Sequence, residues 1–132
     1  LFYICLAMNL LLIFLGGGAG SIARYGMMNV ISRALGGPTF PWYTLGVNML
    51  GALCIGALME ILALRASLAE PMKLLLVTGF LGGFTTFSAF SLEGALMLEK
   101  GDYTNLALYI VASVGGTIIA VFLGSGIVRT VL

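Results

Sequence analysis

Val77-Thr78-Gly79-Phe80-Leu81-Gly82-Gly83-Phe84-Thr85-Thr86-Phe87-Ser88-Ala89-Phe90-Ser91 is the stretch on which the fold turns. It lies in a charge-free run from residue 74 to 92, which approaches the roughly 20 apolar residues that cross a bilayer. Yet it carries three glycines and two adjacent threonines. Each glycine costs roughly 1 kcal/mol relative to alanine inside a helix, so the stretch predicts a helix that breaks near the bilayer midplane. Backbone left unpaired at that depth is tolerated only where protein or a water-filled cavity surrounds it. The break therefore points to an ion site, with a glycine-rich packing notch as the plain alternative.

Working outward, three more charge-free runs appear: residues 1 to 23, 34 to 59 and 103 to 128. With 61% hydrophobic and 8% charged residues in 132, the chain cannot present the charged surface of a soluble domain. The expected fold is an all-α membrane protein of four transmembrane helices with the third broken, one domain over residues 1–132. Its place is the cell membrane as a multi-pass protein, the lipid bilayer being its solvent. Four spans and short turns leave no room for a nucleic-acid module or a cofactor fold. Histidine is absent, and the five acids (Glu60, Glu70, Glu93, Glu99, Asp102) mostly fall near predicted helix ends, so an enzyme is not expected. Cys5 and Cys54 lie inside apolar spans and read as small buried hydrophobes.

The first span, about Tyr3 to Ser32, lacks the basic n-region and small-residue cleavage site of a signal peptide and is read as mature sequence, although the chain begins at Leu1. Its Gly16-x-x-x-Gly20 offers a face for close approach of another helix. Gly36-Gly37-Pro38 breaks the chain, and Pro41-Trp42-Tyr43 opens span two with interfacial aromatics. Span two ends near Leu64. Pro71 starts span three, which runs to about Glu99, and Lys100-Gly101-Asp102 turns into span four, about Tyr103 to Val128. Arg65, Lys73 and Arg129 then face one side, and Arg33 and Lys100 the other, with Arg24 a third if it is counted. Orientation follows an excess of Lys and Arg on cytoplasmic loops, and almost none exists here. Both orientations should insert, which suits an antiparallel dimer.

In such a dimer the two breaks meet near the two-fold axis, where converging carbonyls suit a hard cation. Past the break, Phe87 and Phe90 share a helix face, with Ser88 and Ser91 as the neighbouring pair. Ring edges carry positive potential, so they can favour a small anion without a full charge; the plain alternative is two rings facing lipid or core. In span four, Tyr109, Ser113 and Thr117 recur at intervals of four as a polar track, or else bond their own helix backbone. Asn48, midway along span two, is costly to leave unpaired in lipid and should face the bundle or a pore, where its amide could donate to an anion.

Gly82-Gly83-Phe84-Thr85-Thr86-Phe87-Ser88-Ala89-Phe90-Ser91 with Glu93 resembles the third-helix signature of the Fluc (CrcB-like) fluoride channels. Gly-Ser-Ile-Ala-Arg24-Tyr, Thr44-Leu-Gly-Val-Asn48 and the Tyr109/Ser113/Thr117 stripe are similar to that family's other marks, in the same order. The resemblance implies an antiparallel, dual-topology homodimer with two fluoride pores and a central structural sodium ion. It implies that Gly82 and Thr85 offer backbone carbonyls to sodium. Phe87, Phe90, Asn48, Ser88, Ser113, Thr117 and Tyr109 would line the fluoride path, with Arg24 and Glu93 near the vestibules. Ala89 departs from the hydroxyl residue usual in the motif, so no role carries over to it. The implied activity is passive electrodiffusive export of fluoride from the cytoplasm.

The leading rival is a small dual-topology, proton-coupled multidrug exporter, which would need a membrane-embedded carboxylate early in the chain. Span one holds Arg24 and no acid. A structural membrane subunit is the other rival, and it gives a broken span and polar tracks no purpose.

Overall fold

The computed structural model describes residues 2–35, 39–64 and 69–132, and every regular element among them is helical. Helix α1 covers Phe2–Leu35 and α2 covers Trp42–Leu64. The third span comprises α3 (Ala69–Met72), a π-helical stretch (Lys73–Leu81), α4 (Gly82–Phe84) and α5 (Phe87–Glu99), and α6 covers Tyr103–Val131. Four segments are long and apolar enough to cross a membrane: Tyr3–Leu35, Trp42–Leu64, Glu70–Glu99 and Tyr103–Val131. The expected breaker Gly36-Gly37-Pro38 and the charge of Arg65 lie outside the described residues.

The spans form two pairs, each held by glycine. A Cβ on Gly16 would run into the Leu75 carbonyl, one on Gly20 into the Phe80 carbonyl, and one on Gly83 into the Gly17 carbonyl. Increasing numbers meet increasing numbers, so α1 lies parallel to the third span. The Gly16-x-x-x-Gly20 face does what small residues do in lipid, letting two backbones touch where no hydrophobic force drives association. Likewise a Cβ on Gly56 would strike the Val121 carbonyl and one on Gly124 the Leu53 carbonyl, which seats α2 directly against α6.

The break in span three is observed within the expected stretch, just before Phe87. Gly79 stays in the π-helical stretch and Gly82 and Gly83 in α4, and at Gly79 and Gly83 the absent Cβ serves the approach of α1. Thr85 (φ −82°, ψ 157°) and Thr86 (φ −152°, ψ 116°) carry the extended backbone instead. Cys5 and Cys54 are free and point outward from the helical unit, so they are not the buried hydrophobes expected.

Between α5 and α6 the chain turns tightly. Gly101 has φ 70°, a left-handed conformation that glycine adopts without a Cβ penalty. The Asp102 N–H donates to the Met97 carbonyl at 3.0 Å and the Gly101 N–H to the Leu98 carbonyl at 3.0 Å, closing the helix end in the Schellman manner. Asp102 then caps α6, its carboxylate accepting from the Asn105 N–H at 3.4 Å and from Asn105 Nδ2 at 2.8 Å. This hairpin lays α5 on α6 around a small core of Leu45, Met97 and Tyr109, packed by Phe40, Phe90 and Leu106.

Candidate functional site

An extended pair of residues inside a membrane span frees backbone groups that hydrocarbon cannot satisfy, at several kcal/mol for each group left unpaired. Asn48 meets this need from α2. Its Nδ2 donates to the Thr86 carbonyl at 3.0 Å and its Oδ1 accepts from the Thr86 N–H at 2.8 Å, so one amide pairs with both backbone polar groups of Thr86. Thr86 restarts the helix as N-cap of α5, its Oγ1 accepting from the Ala89 N–H at 3.2 Å and lying 3.1 Å from Ser88 Oγ. Thr85 Oγ1 donates back to the Leu81 carbonyl at 2.9 Å.

These bonds have a consequence for two carbonyls. An unbroken helix would direct the Thr86 N–H at the Gly82 carbonyl and the Ala89 N–H at the Thr85 carbonyl. Both donors are engaged elsewhere, by Asn48 and by Thr86 Oγ1. The oxygens of Gly82 and Thr85 thus lose their helical donors. Among the described residues no three His, Cys, Asp or Glu side chains gather, so carbonyl oxygen is what the break itself presents to a cation.

Beyond the break, Phe87 and Phe90 sit with ring centroids 5.2 Å apart, and Phe90 lies 5.0 Å from the Tyr109 ring, which meets Phe40 edge-on at 5.6 Å. Phe90 belongs to the core, whereas Phe87 is 75% exposed on the outside of the helical unit. The two rings expected to act together therefore differ in setting. Ser88 is exposed beside them, and Ser91 Oγ donates to the Phe87 carbonyl at 3.0 Å within its own helix.

The stripe on α6 divides residue by residue. Tyr109 is fully buried, and its hydroxyl donates to Glu93 at 2.5 Å. Ser113 is 7% exposed, and its Oγ finds no hydrogen-bond partner among the described residues. Thr117 Oγ1 donates to the Ser113 carbonyl at 2.6 Å, the backbone bond that interval-of-four spacing permits. Thr117 and Asn48 share a cleft of about 260 Å³ with Thr85, Thr86 and Phe87, which places the stripe beside the break.

Glu93 is held between two spans. Besides Tyr109 it accepts from Thr44 Oγ1 at 2.7 Å, so two neutral hydroxyls satisfy a carboxylate that has no ion-pair partner among the described residues. It faces a cleft of about 430 Å³ lined also by Tyr43, Lys100, Asp102 and Asn105. Thr44, 1% exposed, carries more of this site than its place in a sequence motif suggested; the signal available was its position four residues before Asn48. Thr86 was likewise legible only as one of two threonines. Arg24 stands apart from this group on α1, one turn past Ser21, whose Oγ lies 3.5 Å from the Gly83 carbonyl, and it forms no ion pair among the described residues.

Four apolar spans, the third broken and clamped by a side chain of the second, with a half-buried carboxylate further along it, define a multi-pass protein of the cell membrane. The chain belongs to the CrcB-like protein family, described also as Camphor Resistance (CrcB), whose sequence pattern it matches over residues 11–125. It is 44% identical over 124 residues to the fluoride-specific ion channel FluC of Chelativorans sp. (strain BNC1), covering 94% of this chain and 98% of that one. It is 47% identical over 121 residues to the protein of the same name in Agrobacterium fabrum (strain C58 / ATCC 33970), covering 92% and 96%. The family is one of channels and not of enzymes.

Proposed function

We propose that this chain is a fluoride channel that works as an antiparallel homodimer and lets fluoride leave the cytoplasm by passive electrodiffusion. The observation that carries this reading is the Thr85–Thr86 break, clamped by Asn48 beside Phe87 and opening on the α6 stripe, in a chain 47% identical to a named fluoride channel. Phe87, Phe90, Asn48, Ser88, Ser113, Thr117 and Tyr109 line the path, with Arg24 and Glu93 toward its vestibules. Asn48 keeps one amide hydrogen beyond the one given to Thr86, and Ser113 keeps its hydroxyl; both are donors suited to a small anion. Ring edges add positive potential without a charge that would hold the ion too long.

Two features favour the antiparallel dimer. The positive charges are nearly balanced across the membrane, and the outward face of Phe87 is one that a second copy would cover. A two-fold axis near the break would bring the Gly82 and Thr85 carbonyls of both subunits together, an oxygen donor set that fits sodium as a hard cation. Bound there, sodium would offset the converging carbonyl dipoles and tie the two breaks to each other.

Hydrogen fluoride crosses membranes neutral and dissociates inside, and the trapped anion leaves down its electrochemical gradient. Each charge moved contributes about 2.3 kcal/mol per 100 mV, so no coupled energy source is needed. The test is fluoride efflux from proteoliposomes with potassium and valinomycin carrying the compensating charge. Efflux is expected without a proton gradient and should be suppressed by Phe87→Ile or Phe90→Ile with dimer assembly unchanged. A requirement for a proton gradient would replace this reading with coupled export, and normal flux in both variants would remove the rings from the mechanism.

A further inference from the structure

The interval-of-four pattern on α6 does not stop at Thr117. It continues through Val121 to Ser125 and Arg129, so Tyr109, Ser113, Thr117, Ser125 and Arg129 follow one stripe interrupted only by Val121. Helix α2 carries a matching series: Thr44, Asn48, Ala52, Gly56 and Glu60. Because α2 and α6 run parallel, the two series face each other from end to end. At one end Glu93 accepts from Thr44 and Tyr109. At the other, Glu60 accepts from Ser125 Oγ at 2.8 Å and pairs with Arg129 Nε at 2.9 Å. Each end is thus a carboxylate fixed by side chains of the paired helices, and the far end adds an ion pair to it.

Two clefts run from the break to the Glu60 end. The cleft beside the break is bounded by Ile55 and Val121, and the same two residues bound a further cleft of about 420 Å³ that reaches Glu60, Ser125 and Arg129. Ile55 and Val121 form the waist between them, over the closed seam where Gly56 meets the Val121 backbone. Arg129 is 69% exposed in its side chain while Glu60 is 19% exposed, so the guanidinium reaches outward and the carboxylate anchors it from within.

Resting on the fluoride-channel reading, we infer that the Glu60–Ser125–Arg129 cluster is an additional mouth of the permeation path, on the membrane side opposite Glu93. Arg129 recruits the anion there, Glu60 is a positioning residue for Arg129, and Val121 is the apolar waist the ion passes. An unpaired arginine would hold an anion; the pair with Glu60 weakens that hold and keeps release fast, as conduction requires. The terminal guanidinium nitrogens make no ion pair among the described residues and can raise the local anion concentration.

The experiment uses the full chain in proteoliposomes. Arg129→Gln should slow fluoride efflux at least about threefold in roughly 10 mM salt, with the deficit shrinking as salt rises, because exposed charges are screened. Arg129→Lys should restore most of the rate, and Glu60→Gln with Arg129→Gln, which leaves no unpaired carboxylate, should match Arg129→Gln alone. Unchanged efflux at low salt, or a deficit that salt does not alter, overturns the role of Arg129. In a chain with Cys5 and Cys54 replaced by alanine, Ser125→Cys should react with a water-soluble methanethiosulfonate reagent, whereas Ile127→Cys, 55% exposed on another face of α6, should not. Equal labelling of the two, or none at Ser125→Cys, overturns the mouth. Selective labelling in a protein that passes no fluoride would instead overturn the channel reading while leaving a water-filled mouth.

Discussion

The two halves of the third span answer to different neighbours by different means. Upstream of Thr85 the span meets α1 backbone to backbone, through Gly16, Gly20, Gly79 and Gly83, with Ser21 Oγ reaching the Gly83 carbonyl. Downstream of Thr86 it meets α2 and α6 through side chains, with Glu93 fixed by Thr44 and Tyr109 and Phe90 packed on Tyr109. The first half is a docking surface whose chemistry is shape alone. The second presents a carboxylate, hydroxyls and rings to a cleft. A helix can serve both neighbours only if its two halves are free to take separate directions, and the Thr85–Thr86 link gives that freedom while Asn48 removes its cost.

The comparison breaks most severely at the glycine seam. Gly20→Leu would drive a side chain into the Phe80 carbonyl and should abolish the folded protein, read as loss of the monodisperse peak in detergent, whereas Gly18→Leu, with open space around its Cβ, should elute normally. Asn48→Ala ranks next, since it strips both backbone polar groups of Thr86 at once. Two unmet backbone groups cost about 2–6 kcal/mol together, so thermal stability in detergent should fall strongly. An unchanged midpoint would mean that the break does not depend on α2. Ser91→Ala sharpens the contrast from the other side: its hydroxyl bonds a carbonyl of its own helix, so stability should change by less than about 0.5 kcal/mol and the midpoint should barely move.

Much of this was legible because a bilayer writes its thickness into sequence. Charge-free runs gave the four spans, and Pro41, Pro71 and Asp102 marked where helices begin. The break was legible as a region that ends before Phe87, but not down to its residues, because glycines and threonines alike were read for weak helix propensity. In the folded chain Gly79, Gly82 and Gly83 stay helical, and Gly79 and Gly83 are kept small by the backbone of α1, a neighbour some 60 residues away that no local pattern reveals. Asn48 was legible as a polar residue needing a partner, but not that the partner is the Thr86 backbone. Glu93 was given no partners, because Thr44 and Tyr109 reach it from two separate helices. Thr117 was legible in its plainer form, since spacing of four already permits the backbone bond it makes.

The turn at Gly101 acts as a ruler. Glu93 and Tyr109 stand eight residues before and eight after it, so their meeting is fixed by counting outward from one left-handed glycine. One residue added there would rotate α6 by about 100° against α5 and carry the phenol off the carboxylate, along with every hydroxyl behind it. Surface connections ordinarily absorb such insertions. This one cannot lengthen without erasing the alignment of two membrane helices along their whole length.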